Sequence, residues 1–129
     1  MRAFLDTNVL ITGGYTVRPG IDEVAVTSLS LAELAFGVAA APSPEQRAIR
    51  VTELNRIRSV FGRGAPFDDD AAMSYGIITD LVLARGRSVR GRVMDLMIAA
   101  IAHSHGAALV TANTADFAGL EPVLTVLPA

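Results

Sequence analysis

Residues 1–10 read MRAFLDTNVL. "RAFL" has the apolar character of a short strand, but Asp6, Thr7 and Asn8 stop it at once. Apolar Val9, Leu10 and Ile11 then follow without a gap, so this is not a turn leading out to solvent. Asp6 therefore stands at the junction of two buried elements. A carboxylate is costly there unless it is paired, hydrogen-bonded or put to use.

The same grammar runs outward along the chain. "VAVT", "ALVT" and the late "VLTVL" also read as strands, and helical periods are expected over residues 31–40, 44–61, 69–85 and 93–105. "SPEQ" opens the second helix with a Ser43 cap and Pro44 in its first turn, and Gly62, Gly86 and Gly106 sit where helices stop. Strands alternating with helices predict an α/β domain with a mainly parallel sheet, in one unit spanning 1–129. The loop TGGYTVRPG over residues 12–20 reads as the most flexible connection. In such sheets sites form beyond the carboxyl ends of the strands, where the winding reverses. Asp6 follows the first strand, and Asn113 and Asp116 follow "ALVT". If those strands are neighbours, their polar ends share one crevice.

Composition narrows the chemistry. Half of the residues are hydrophobic, enough for a core and against disorder. There is no cysteine, so disulfides, thiol nucleophiles and zinc–thiolate sites are excluded, and a reducing compartment is expected. No apolar run is long enough to cross a bilayer, and Asp6 interrupts the only stretch that would serve as a signal peptide. A cytoplasmic protein without membrane contact is the expectation. The net charge of −2 argues against broad, non-specific binding to nucleic acid. All 11 basic residues are arginine, which excludes the P-loop lysine and Schiff-base chemistry.

The acids divide by context. Glu33, in "SLSLAELAFG", has capping-box spacing from Ser30, yet it is the only charge between Glu23 and Glu45. Gly37, one turn on, suggests a close approach by that face. Glu33 either caps its helix, reaches a site, or does both. Asp95 lies in the nearly all-apolar "VMDLMIAAIA", with Ala99 and Ala102 on its face. Its alternative is a first-turn aspartate favoured by the helix dipole and paired with Arg92. Asp116 either caps a polar loop or joins a site. Asp68, Asp69 and Asp70 read as the cap and first turn of a helix. His103 and His105, two apart, fall on different helix faces and form no metal pair. Asp6, Glu33, Asp95 and Asp116 could converge from separate elements. Such a pocket would be all oxygen, and its crowded charge suits a hard cation, Mg²⁺ or Mn²⁺.

These segments resemble the motifs of the PIN-domain ribonucleases, most closely the VapC toxins of VapBC toxin–antitoxin pairs. "FLDTNVL" resembles the first motif, "SLSLAELAFG" the second, "GRVMDLMIAAIA" the third and "LVTANTADFAGL" the last. The similarity covers essentially the whole chain, and the motifs occur in order. It implies a three-layer α/β fold, with a twisted five-stranded parallel sheet of order 3-2-1-4-5 flanked by helices. It also implies a metal-dependent endoribonuclease that uses Asp6, Glu33, Asp95 and Asp116. Asp6, Asp95 and Asp116 match the metal positions, and Glu33 would hold a water. Thr7 and Asn8 would orient the first carboxylate, and Thr111 and Asn113 would assist. The partners implied are a specific RNA, a VapB-type antitoxin whose extended segment fills the acidic cleft, and a second copy in a homodimer.

One departure stands out. Relatives often carry arginine directly after the last-motif threonine, where this chain has Ala112. Arg90 and Arg92 are the candidates to supply positive charge to RNA or antitoxin instead. Two alternatives are weighed. A haloacid-dehalogenase-type phosphatase would need a second aspartate where Asn8 stands. A PIN-like module that binds RNA or protein without cutting is the reading that Ala112 leaves open.

Overall fold

The computed structural model describes residues 1–13, 15, 16 and 18–129. Gly14 and Val17, within the loop expected to be most flexible, lie outside the described residues. The strands are β1 (Arg2–Leu5), β2 (Glu23–Ala25), β3 (Ala108–Thr111) and β4 (Val126–Pro128). They pair in the order β2-β1-β3-β4, and every pairing is parallel. The helices are α1 (Thr7–Thr12), α2 (Ser28–Ala39), α3 (Pro44–Phe61), α4 (Asp69–Ala84) and α5 (Val93–Ser104), and a short 3₁₀ turn spans Thr114–Phe117.

Strand alternation sorts the side chains into two cores. Phe4 and Leu109 face α4 and α5, packing with Ile78, Val82, Leu96 and Ile101. Ala3, Leu5, Ala108 and Val110 face the other way, onto Val9 and Leu10 of α1 and Ile57 of α3. Both faces of the sheet are thus covered, which is the normal condition of a parallel sheet. Within α5, Ile98 through Ala102 are wholly buried, and alanines at 99, 100 and 102 let the helix lie close in. Ser43 caps α3 by accepting from the Gln46 amide at 3.1 Å, with Pro44 next to it, as the sequence signals predict. Asp68 caps α4 through the Ala71 amide at 3.0 Å, so the acidic run at 68–70 is a helix start.

Three expectations are corrected. Among the described residues four strands form where five were expected. Beyond β2 the neighbouring segment makes only an isolated parallel bridge, Thr27 to Ala65. Gly62, Gly64 and Pro66 surround that bridge, and proline's missing amide and glycine's freedom both work against extending a ladder. Helix α1 was not anticipated, because six residues carry too little periodicity to announce themselves. And α2 is capped by Thr27, whose hydroxyl accepts from the Ser30 amide at 3.0 Å, so Ser30 and Glu33 form no capping box.

The close approach expected at Gly37 falls elsewhere. A Cβ on Gly37 would meet nothing, whereas one on Gly64 would lie 2.5 Å from the Ser28 backbone nitrogen. Gly64→Ala should therefore destabilise the fold by about 1–3 kcal/mol, the usual scale of overpacking against atoms that cannot move aside. Gly37→Ala should not. Paired urea denaturation curves check this, and equal midpoints for the two variants would refute it.

Candidate functional site

The chain leaves β1 for β2 on one side and returns to β3 on the other, so the winding reverses between β1 and β3. The crevice at their carboxyl ends is where Asp6 and the 111–116 segment meet.

Asp6 is the centre of this arrangement. Only 3% of it is exposed, and both carboxylate oxygens are used. Oδ1 accepts from the Thr7 amide at 2.8 Å, which makes Asp6 the N-cap of α1. Oδ2 accepts from the Thr111 hydroxyl at 2.9 Å. That hydroxyl is itself saturated, accepting from the Asn113 amide at 3.2 Å and from Asn8 Nδ2 at 3.4 Å. Asn8 Oδ1 accepts from the Ala112 amide at 3.2 Å, which tethers the end of β3 to α1. Asn8 thus reaches Asp6 through Thr111 and not directly. Asn113 Nδ2 donates to Asp116 Oδ2 at 2.8 Å, fixing the acid on the 3₁₀ turn.

The side chain of Thr7 turns away from Asp6. Its hydroxyl donates to Glu33 Oε1 at 2.7 Å and lies 2.8 Å from Ser30 Oγ. Glu33 therefore reaches the crevice from α2, held by a residue adjacent to Asp6. Asp95 lies in the first turn of α5, partly exposed, where the helix dipole favours a negative charge. Arg92, at the head of that helix, makes no salt bridge with Asp95 among the described residues, although its charge favours the Asp95 anion. Arg90 is exposed on the loop before it, its amide donating to Ser88 Oγ at 3.1 Å.

These acids act on one another electrostatically. Burial raises Asp6 above the ordinary aspartate value of 3.8, hydrogen bonds from Thr111 and Thr7 oppose the rise, and the charges of Glu33 and Asp116 add to it. Asp95 is raised too, first by burial and then by Asp6 and Asp116, with Arg92 opposing. All four sequence-selected acids thus share one field. Among the described residues no three side chains form a ready ligand cage. The histidines stand apart. His103 Nδ1 is 2.7 Å from Ser74 Oγ across α4 and α5, and His105 packs edge-on against Phe4.

Comparison with known proteins shows the family. The PIN-domain family matches residues 3–120. Ribonuclease VapC5 of Mycobacterium tuberculosis is 36% identical over 126 residues, covering 95% of this chain and 90% of that one. The chain belongs to the VapC ribonucleases of the PIN-domain family. VapC ribonuclease Y4jK of Sinorhizobium fredii is 34% identical, over 84% of this chain and 79% of that one. A crystal structure of a member of the VapBC family of toxin–antitoxin systems, VapBC-5 from M. tuberculosis, superposes with a TM-score of 0.78. It is 33% identical and covers 98% of this chain and 96% of that one. PIN-domain VapC nucleases are typically metal-dependent.

Ser30 and Thr27 are the site-linked residues that sequence reading assigned otherwise, Ser30 as a helix cap and Thr27 as a strand end. The hint was a cluster of hydroxyls at 27, 28 and 30 in an otherwise apolar run.

The raised groups set a pH dependence with a definite sign. A carboxyl whose folded value exceeds its unfolded one contributes stability that is complete below the unfolded value and lost as pH rises through the folded one. Metal-free Asp95→Asn should melt close to the parent near pH 3.8 and increasingly above it as pH rises. Thermal melts of both proteins across that range test this, and a gap that narrows with rising pH would refute it.

Proposed function

We propose that this VapC ribonuclease hydrolyses phosphodiester bonds in a specific RNA, using Asp6, Glu33, Asp95 and Asp116 and a bound Mg²⁺, for which Mn²⁺ can substitute. The observation that carries this reading is the gathering of four carboxylates at the winding reversal, with Asp6 and Asp95 pushed toward protonation by burial and by the charge of neighbouring acids. An all-oxygen donor set with uncompensated charge fits a hard divalent cation. Asp6, Asp95 and Asp116 would hold it in part through bound waters, since an ion of this kind takes only one or two carboxylates directly. When bound, Mg²⁺ neutralises this charge and supplies the Lewis acidity that hydrolysis of a phosphodiester requires.

The chain's own groups do the rest. Thr111 and the Thr7 amide keep the Asp6 carboxylate from turning, so its lone pairs face one direction. Asn113 does the same for Asp116. Glu33, with one oxygen taken by Thr7, keeps the other to accept a hydrogen bond from the attacking water and orient it. Arg90 and Arg92 offer positive charge on the loop and helix end that lead into Asp95. A protein of net charge −2 attracts an acidic polymer only locally, which favours one looped or single-stranded target over general degradation.

The same reading takes residues 1–129 as one PIN domain in the cytoplasm. The Thr27–Ala65 bridge is read as the remnant of the fifth strand in the order 3-2-1-4-5. A VapB-type antitoxin is the natural partner of such a toxin. A cleft of about 390 Å³ lined by Leu10, Ile11, Leu34, Ile49 and Leu54 runs up to Glu33 and offers it an apolar surface. Ile11 in that cleft is 68% exposed, and Ile49 is 58% exposed. Self-association into a homodimer completes the assembly.

The test is cleavage of total cellular RNA by antitoxin-free protein in Mg²⁺ or Mn²⁺, read by end sequencing. Discrete new 5′-phosphate ends are expected, absent with chelator. Asp6→Asn and Asp95→Asn should each reduce cleavage by at least about a hundredfold while remaining folded. Folded protein that binds RNA but cuts none in either metal would replace this reading with a binding module, the outcome to which Ala112 points.

A further inference from the structure

A chain of buried hydroxyls runs behind Glu33, and its direction can be worked out atom by atom. Thr7 Oγ1 lies 2.7 Å from Glu33 Oε1 and 2.8 Å from Ser30 Oγ. Ser30 Oγ lies 3.3 Å from Thr27 Oγ1, which accepts from the Ser30 amide at 3.0 Å. Ser30 and Thr27 are fully buried and Thr7 is nearly so, so water does not substitute for the links among the three hydroxyls.

Each hydroxyl has a single hydrogen to give. An ionised Glu33 only accepts, so Thr7 spends its hydrogen on Glu33. Ser30 must then donate to Thr7, and Thr27 must donate to Ser30. At the far end stands a backbone N–H, which only donates. Both ends are therefore fixed, and the polarity can run one way: Thr27 to Ser30 to Thr7 to Glu33. Aligned hydroxyls polarise one another, which strengthens the last bond, the one to the charged oxygen.

We infer that Ser30 is a positioning residue of the nuclease site, acting through Thr7 to hold Glu33 Oε1 and leave its second oxygen to work in the crevice. This rests on the proposed nuclease reading. Without the Ser30 hydroxyl, Thr7 loses its donor and its bond to the half-buried Glu33 is the weaker for it. A cap in the ordinary sense would need only the Thr27 hydroxyl and the Ser30 amide, so the Ser30 side chain has no share in it.

The test compares Ser30→Thr with Ser30→Val. The two add nearly the same volume to the buried position and differ in the hydroxyl alone. Two readouts are taken on metal-free and Mg²⁺-containing protein. One is the ¹³C resonance of the Glu33 carboxyl carbon at fixed pH, assigned with Glu33→Gln. The other is cleavage of a short fluorescent RNA carrying a cut sequence mapped with the parent protein. Ser30→Val should shift the Glu33 resonance and lower kcat by up to about tenfold relative to Ser30→Thr, the upper end of the scale of one hydrogen bond between neutral groups. KM for the RNA should move little, since the ground-state contacts are elsewhere. A purely structural hydroxyl would lower the melting temperature of Ser30→Val and leave both readouts alike in the two variants, which overturns the inference. If Ser30→Val does not fold, Thr7→Val against Thr7→Ser reads the same link from its other side. If the parent cuts no RNA, the nuclease reading fails separately, and an unmoved Glu33 resonance in Ser30→Val still overturns the positioning role.

Discussion

The hydrogen bond between Thr111 and Asp6 joins the two strands on which everything else depends. Asp6 ends β1 and Thr111 ends β3, and these are neighbours only because the winding reverses between them. A carboxylate with almost no solvent has lost its hydration, and two fixed donors, one hydroxyl and one amide, replace part of it. Replacement is incomplete, since burial still outweighs these bonds and the group holds its proton more tightly than an ordinary aspartate. The fold thus keeps a carboxylate whose charge is under-compensated.

The supporting shell is economical because its members serve twice. Thr7 gives its amide to Asp6 and its hydroxyl to Glu33, so one residue sets two acids at once. Asn8 spans from the start of α1 to the backbone just past β3 and also donates to Thr111. Short side chains suit this task. They have few rotors to immobilise, and each of their polar atoms is occupied.

Much of this was legible in the order of residues. A strand cut off by Asp6 announces a buried junction, and "ALVT" followed by Asn113 and Asp116 announces a second, so the crevice follows from the rule for parallel sheets. Asp95 drew notice because a charge in an almost wholly apolar helix is costly to bury, and the fold places it partly exposed in the first turn of α5. The misreadings share a cause, which is that they turn on register within a few residues. Ser30 and Thr27 compete for the same cap, and spacing alone favours the wrong one. Which of Gly37 and Gly64 marks a close approach depends on the path of a different segment. The direction of the Thr7 side chain is likewise a tertiary fact, since Thr7 and its two side-chain partners are more than twenty residues apart.

Helix α1 has a further consequence. It begins at Asp6, and its last turn places Ile11 in the apolar cleft. At 1.5 Å per residue the two are about 7–8 Å apart along a single rigid rod. Any occupant of the cleft that prefers one setting of the rod also selects the setting of the carboxylate at its head. Reciprocity then requires that neutralising the carboxylate alter the occupant's affinity by the same factor. Val9 and Leu10, packed into the core along the same helix, would carry any such coupling.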